Sequence, residues 1–211
     1  MGDAALLLGL RGRPLILASA SPRRASLLAD LGIPFRVRPP GVPEALLPGE
    51  ESEAAAERLA RAKAEAVGSE EAGSWVLAAD TLVVVDGTPL GKPADSGDAR
   101  RMLRLLSGRT HEVLTGVAVR TPEGGVRSGV ERTRVRFARL GEGDLDALAD
   151  PGEAMDKAGA YGIQGLASLV IEGIEGDYFN VVGLPLRLVR TLIEAEVRVG
   201  DPATGEEEEE A

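Results

Sequence analysis

One acidic side chain interrupts a run of apolar residues in the first half of the sequence. Asp80 lies inside VLAADTLVVV, residues 76–85, where only the neighbouring Thr81 is also polar. An ionised carboxylate is rarely buried unless a cation or several hydrogen-bond donors face it. A divalent metal, a lysine or a water awaiting deprotonation would each satisfy this carboxylate. Asp80 is therefore predicted to be a metal ligand or a general base.

A second stretch places two arginines where a helix is predicted to begin. SASPRR, residues 19–24, combines Ser19 and Ser21 with a proline and then with Arg23 and Arg24. Cations are unfavourable at a helix N-terminus, because its free N–H groups already carry partial positive charge. An ordinary capped helix with both arginines in water is one interpretation. The other is a phosphate site, in which hydroxyls, N–H groups and two guanidiniums surround a polyphosphate.

A glycine-rich segment in the second half of the chain brings several functional groups close together. DKAGAYGIQG, residues 156–165, holds an acid, a base, an aromatic ring and an amide. Gln164 offers a donor and an acceptor on one planar group, which matches the N3–H and O4 edge of uracil or thymine. Tyr161 is predicted to pack against the protein. Lys92, on a Gly-Lys-Pro turn, either reaches the same cleft or is an ordinary surface lysine, and His111 is predicted to make a structural hydrogen bond.

The composition limits the function classes. The 211 residues carry a formal net charge of -10 with a pI of about 4.8, so nucleic-acid polymers and anionic membranes would be repelled. The absence of cysteine and the single histidine exclude disulfides, thiolate ligands and a zinc centre built from several histidines. No apolar run approaches the length of a membrane span. We expect a cytoplasmic protein without nucleic-acid or membrane partners.

Strand-like and helix-like segments alternate along the chain, which predicts an α/β protein with a mixed sheet flanked by helices. Residues 1–198 are expected to form a single domain, and the acidic residues 199–211 are expected to be a disordered tail. The dipeptide Asp86-Gly87 predicts a hairpin. Predicted helices cover residues 22–31, 52–67, 96–106, 144–149 and 184–196, and predicted strands cover residues 15–19, 35–38, 75–91 with its hairpin, 111–121, 130–140 and 168–174.

The ordered motifs SASPRR, LARAKA, AADT, GKP, GRTHEVLTG and DKAGAYGIQG, spread over about residues 15–190, resemble the Maf family of septum-formation-associated nucleotide pyrophosphatases. The resemblance implies an elongated fold related to inosine triphosphate pyrophosphatases, with two lobes around a cleft and commonly a homodimer. It implies hydrolysis of a nucleoside triphosphate to the monophosphate and diphosphate with Mg²⁺ or Mn²⁺. Arg23, Thr81 and Gln164 stand where the dTTP/UTP branch of the family has its substrate-specificity residues.

The resemblance also assigns further roles. Asp80 matches the family's proton acceptor, and Asp80 with Glu44 would hold the metal. Pro43 stands where the family often has another acid, so Glu44 is left as the second carboxylate. The resemblance allows a link to cell-division arrest and to cleaning of the nucleotide pool, and a non-catalytic nucleotide-binding regulator of septum formation is the alternative. The predicted phosphate-binding residues are Ser19, Ser21, Arg24, Lys63, Lys92 and Lys157.

Overall fold

A mixed sheet forms the centre of the computed structural model, which describes the backbone of residues 3–199 and the side chains of residues 4–195. None of the helices in this range combines the length and hydrophobicity needed to cross a bilayer. The strands β1 to β7 span Leu15–Leu17, Arg36–Val37, Trp75–Val85, Thr88–Leu90, Thr110–Arg120, Val126–Phe137 and Ile171–Glu175. The helices α1 to α8 span Asp3–Leu7, Pro22–Asp30, Ser52–Gly68, Ser96–Leu106, Glu142–Leu148, Pro151–Ala154, Tyr178–Val182 and Leu186–Val199.

The sheet confirms the predicted mixed α/β architecture. Its strands follow the order β2-β1-β3-β5-β6-β7, with β4 paired to β3 outside this path. The strands β1, β2 and β3 are parallel, whereas β3, β5, β6 and β7 run antiparallel to their neighbours. The predicted hairpin is confirmed, because β3 and β4 pair across Asp86 and Gly87, which both have positive φ.

A gap in strand pairing lies in the middle of β3. The residues Trp75–Leu77 pair with β1, and Val83–Val85 pair with β4, while β5 occupies the opposite edge along most of the strand. Residues 78–82 therefore have no strand partner on the first edge within residues 3–199. Asp80 lies at the centre of this gap, so the interruption of the apolar run coincides with an interruption of the sheet.

The helix α3 packs closely against one face of the sheet. Alanines line its buried side, and Gly116 of β5 lies beneath it, directly opposite Asp80 in the β3–β5 register. A Cβ atom on Gly116 would overlap the backbone carbonyl of Ala56. The missing side chain thus lets α3 approach the strands, and this approach carries Lys63 to Asp80.

We expect Gly116→Ala to push α3 away from the sheet. The overlap is with backbone, which cannot rotate away, so the free energy of unfolding should fall by about 1–3 kcal/mol. Urea denaturation followed by circular dichroism measures this loss. Gly129→Ala on β6 is the matched control, because its Cβ would lie 3.4 Å from the flexible Leu188 Cδ1. Equal stabilities of the two variants would contradict the close approach of α3.

On the other face, the apolar core divides into two clusters along the long strands. One cluster joins α2 and α8 to Leu77, Ala79 and Val117. The other joins α4 and α5 to Val83, Val113 and other residues near the hairpin. The odd-numbered residues of β3 supply both clusters, which lie on either side of the pairing gap. This division agrees with the expected two lobes around a cleft.

Several predicted boundaries differ from the structure. The first strand ends at Leu17, because the next residues turn toward α2, where the Ser19 hydroxyl accepts a hydrogen bond from the Ser21 N–H. The last strand begins at Ile171, since Leu166–Leu169 forms a 3₁₀ turn. The last helix begins at Leu186 and continues to Val199. Of the predicted acidic tail 199–211, the residues from 200 onward lie outside the described part of the chain.

Candidate active site

A cleft of about 640 Å³ opens beside the pairing gap of β3, and every predicted site residue lines it. The cleft therefore joins residues that lie far apart in sequence. Its lining has five cationic and three acidic side chains, an excess of positive charge in a chain whose net charge is -10. The cations are Arg23, Arg24, Lys63, Lys92 and Lys157, and the acids are Glu44, Asp80 and Asp156.

The partner of Asp80, left open by the sequence, is a lysine. Lys63 Nζ lies 2.6 Å from Asp80 Oδ1 and 2.5 Å from Glu44 Oε1. Asp80 and Lys63 are both buried, with 6% and 4% of their surface exposed, whereas the Glu44 side chain is about half exposed. Burial alone raises the pKa of Glu44, but hydrogen bonding and charge from Lys63 outweigh it, so this pKa lies below its usual value. Lys92 approaches the same carboxylate, with its Nζ 3.7 Å from Glu44 Oε2.

Arg24 is buried, and protein acceptors bind three of its five N–H groups. Its guanidinium donates to the Gly183 carbonyl at 2.7 Å, to Ser19 Oγ at 3.1 Å and to Thr81 Oγ1 at 3.0 Å. Burial lowers the pKa of Arg24, and the nearby Asp80 carboxylate opposes this shift. Two of its five N–H groups stay available for a ligand. The second arginine of SASPRR is thus anchored inside the fold.

Sequence reasoning missed the polar network that supports Arg24 from inside the sheet. Thr81 Oγ1 lies 3.0 Å from Thr115 Oγ1, which donates to the Asn180 carbonyl at 3.2 Å. The Asn180 side chain donates in turn to Val113 O and Thr133 Oγ1. Thr115, Thr133 and Asn180 are fully buried. The only signal in the sequence was Thr81, a threonine inside an apolar strand. Its partner Thr115 could be identified only from the β3–β5 register.

Arg23 behaves differently from its neighbour. It reaches across the cleft, where Nη1 lies 2.5 Å from Asp156 Oδ2 and Nη2 donates to the Asp156 carbonyl at 3.3 Å. Lys157 Nζ contacts the other oxygen of the same carboxylate at 2.7 Å. The Ser21 side chain makes no capping hydrogen bond to α2, although Ser21 is the N-cap residue. Ser21 lines the cleft, and its hydroxyl is not taken up by helix capping.

Gln164 is exposed at the cleft, on the loop that follows the buried Tyr161. The prediction that Tyr161 packs against the protein is confirmed, because it makes edge contacts with the rings of His111 and Phe137. The predicted structural hydrogen bond of His111 is also confirmed, since its Nε2 lies 2.7 Å from Tyr161 Oη. Burial raises the pKa of Tyr161, so its hydroxyl stays protonated.

We expect the stability of the protein to fall as the pH drops below 6.5, because burial lowers the pKa of His111 from 6.5 to about 4. The unfolded chain takes up this proton first, so stability is complete above pH 6.5 and is lost as the pH falls toward about 4. The free energy of unfolding should decrease by about 1 kcal/mol between pH 6.5 and about pH 5.5. Urea denaturation at each pH measures it. His111→Gln removes the only histidine and should be nearly flat over this interval; an equal slope in both proteins would contradict the assignment.

The carboxylates fit a magnesium-type ion better than a zinc ion. Asp80 and Glu44 both contact the Lys63 ammonium, so the two carboxylates lie close together. No cluster of three or more His, Cys, Asp or Glu that could hold a metal occurs in the described residues. Mg²⁺ is commonly held by one or two carboxylates, with waters and substrate phosphates completing its shell. In the wild type the Lys63 ammonium already contacts one oxygen of each carboxylate, so these donors are adequate only if a phosphate ligand contributes.

The family model described as Maf-like protein matches residues 14–196. The chain belongs to the Maf family. Proteins named dTTP/UTP pyrophosphatase are similar to this Maf chain: one from Koribacter versatilis is 52% identical over 84% of this chain and 92% of its own length. Another, from Symbiobacterium thermophilum, is 55% identical over 82% and 88% of the two chains. A solved HAM1 protein from Coxiella burnetii is 17% identical, with a TM-score of 0.47 over 88% of this chain and 99% of that chain.

The geometry of this Maf cleft allows two kinds of chemistry to meet. Arg23, Lys92 and Lys157 line the cleft; the Lys92 side chain is 58% exposed, whereas those of Arg23 and Lys157 are 24% and 14% exposed beside Asp156. Asp80 lies deeper, held by Lys63, at a point where a carboxylate can accept a proton.

Proposed function

We propose that this Maf-family chain hydrolyses dTTP and UTP to the nucleoside monophosphate and diphosphate. The observation that carries the proposal is the convergence of one buried carboxylate, Asp80, with five cationic side chains on a single cleft. The relatives named dTTP/UTP pyrophosphatase, about half identical over most of the chain, support the choice of substrate. The sequence signals Arg23, Thr81 and Gln164 point to the same pyrimidine branch.

Hydrolysis between the α and β phosphates leaves negative charge on the departing diphosphate. Cations that hold this charge more tightly in the transition state than in the substrate lower the barrier. Arg23, Lys92 and Lys157 lie around the cleft opening and take this role. Arg24 and the hydroxyls of Ser19 and Ser21 form the inner wall, where the anchored guanidinium gives a fixed direction for hydrogen bonds.

Asp80 accepts the proton from the attacking water. Its contact with Lys63 fixes the Oδ1 oxygen and leaves Oδ2 to face the water. Lys63, with one N–H beyond its two carboxylate partners, also donates to a phosphate oxygen. Asp80 and Glu44 would hold Mg²⁺ or Mn²⁺, and this ion would supply charge neutralisation on the phosphates when bound.

Gln164 reads the base through the donor and acceptor of its amide. A site that hydrogen-bonds one base edge rejects a mismatched edge, because its own polar groups are then left unpaired. Gln164→Glu removes the donor and keeps the shape. We expect its ratio of dTTP to GTP turnover to fall by about tenfold or more, with a melting temperature close to that of the wild type, because the residue is exposed. Steady-state rates for the two nucleotides measure the ratio, and an unchanged ratio would contradict the base-reading role.

The proposed activity is tested by incubating the protein with dTTP and with UTP in the presence of Mg²⁺ or Mn²⁺. Phosphorus NMR distinguishes diphosphate from monophosphate products. The proposal predicts one diphosphate for each nucleoside monophosphate, and a panel of modified pyrimidine triphosphates measures any role in cleaning the nucleotide pool. Tight dTTP binding without turnover would instead favour the non-catalytic regulator of septum formation.

Three further expectations belong to the same proposal. The chain forms one catalytic domain over residues 1–198, acts in the cytoplasm and pairs as a homodimer. Light scattering of the purified protein measures its mass in solution against the 22.0 kDa of one chain. Truncation before residue 199 with full activity would support a dispensable acidic tail.

A further inference from the structure

Two cations of the cleft share a single internal anion. The Asp156 carboxylate contacts Arg23 Nη1 through Oδ2 at 2.5 Å and Lys157 Nζ through Oδ1 at 2.7 Å. Burial alone raises the pKa of Asp156, but hydrogen bonds from Lys157 and Arg23 outweigh it, so this pKa lies below its usual value. The carboxylate is therefore ionised at neutral pH, and it lies where an incoming phosphate would find its two donors.

The contacts hold Asp156 loosely enough to be exchanged. The Asp156 side chain is 53% exposed, beside the Arg23 and Lys157 side chains at 24% and 14%, and an ion pair whose carboxylate is reached by water contributes little net stability. The Asp156 backbone has its own hydrogen bond, from Arg23 Nη2 to the carbonyl oxygen, so the loop has a second tie to α2 when the carboxylate leaves. The carboxylate can then swing into solvent without unfolding the loop.

We propose that Asp156 is a displaceable counter-ion, which occupies the phosphate position in the empty site and competes with every anion that enters. This inference rests on the proposed function, in which Arg23 and Lys157 hold phosphate groups. A triphosphate carries several negative charges, so it binds the two cations more strongly than the Asp156 carboxylate does and displaces it. A singly charged anion has no such advantage over the carboxylate. After hydrolysis the negative charge is divided between two products. The Asp156 carboxylate then returns to Arg23 and Lys157 and weakens the binding of diphosphate.

Asp156→Asn tests the proposal, because it removes the charge and keeps the shape. The affinity for inorganic diphosphate is measured by titration calorimetry with the full chain, so no turnover is needed. The variant should bind diphosphate about three- to tenfold more tightly than the wild type, the range expected for losing two partly exposed ion pairs. Asp86→Asn is the matched control: it changes net charge equally and breaks the Arg109 pair outside the cleft, so its affinity should stay at the wild-type value.

A double-mutant comparison tests whether Asp156 affects diphosphate binding through Arg23. In an Arg23→Ala background, Asp156→Asn should gain less affinity than in the wild type, because one of the two competing contacts has already gone. Unchanged or weaker diphosphate binding by Asp156→Asn would overturn the proposal and make Asp156 an orienting residue. If dTTP were not hydrolysed but the affinity gain persisted, the counter-ion would stand and the proposed activity would fall.

Discussion

Asp80→Asn is expected to lower turnover of dTTP by about 10²- to 10⁴-fold, the range lost when a positioned general base is removed. The amide has the size of the carboxylate but accepts protons poorly, and it also weakens one of the two proposed metal ligands. The Lys63 ammonium keeps Glu44 as a partner in the variant. We therefore expect a folded protein that still binds dTTP, as measured by initial rates and by calorimetry.

The control for this prediction is Asp86→Asn, which alters an exposed carboxylate in the β3–β4 hairpin. Its turnover should stay within about twofold of the wild type, since a surface pair contributes little. Circular dichroism compares the folds of both variants. Turnover of Asp80→Asn close to the wild-type value would remove Asp80 from the mechanism.

Lys63→Met is expected to destabilise the protein by about 3 kcal/mol. The methionine keeps the apolar stem in place but removes the cation from a buried carboxylate, and such an uncompensated charge costs about 3–5 kcal/mol. The lower value applies because Glu44 is about half exposed and can turn to solvent. Urea denaturation at neutral pH measures the loss. A stability of Lys63→Met within about 1 kcal/mol of the wild type, which is a change of at most about fivefold in the unfolding constant, would contradict the account.

Divalent cations give this variant a second readout. Without the ammonium, Asp80 and Glu44 are free to hold Mg²⁺, and binding to the folded state alone raises stability with concentration. Added Mg²⁺ should therefore stabilise Lys63→Met more than the wild type. Arg61→Met, on the same helix, is the control: its side chain is 41% exposed and makes a hydrogen bond to Ser128 and a pair with Glu65, so the loss should stay at about 1 kcal/mol with no added response to Mg²⁺.

The long elements of the fold follow directly from the sequence. Alanines at helical spacing defined α3, and Asp86-Gly87 defined the hairpin, because both signals are local. The short helix α1 was not predicted, since a five-residue helix has almost no periodicity and is stabilised by packing of Ala5 against the core. Residues 168 and 169, the second half of the 3₁₀ turn Leu166–Leu169, were wrongly assigned to the last strand, because the apolar residue Leu169 precedes the apolar start of that strand.

The site was predictable in its members but not in its contacts. Asp80 was recognisable because a carboxylate in an apolar strand requires a partner, yet three kinds of partner fitted the sequence equally well. The choice of Lys63 depends on how closely α3 approaches Gly116, which is a property of tertiary packing. The position of Glu44 depends on a proline-rich loop without periodicity. The hydrogen bonds that connect Thr81 to Asn180 could not be predicted, because they depend on both the strand register and the position of α7.

The most direct test of the account is a crystal structure of Asp80→Asn with dTTP and Mg²⁺, since slow turnover preserves the substrate. The account predicts the triphosphate within hydrogen-bond distance of Arg23 and Lys92, with the Asp156 carboxylate displaced. It predicts the thymine edge on Gln164 and the α-phosphorus beside residue 80. Binding of dTTP elsewhere on the protein, or an empty cleft at saturating dTTP, would contradict the claim that these residues act on one triphosphate.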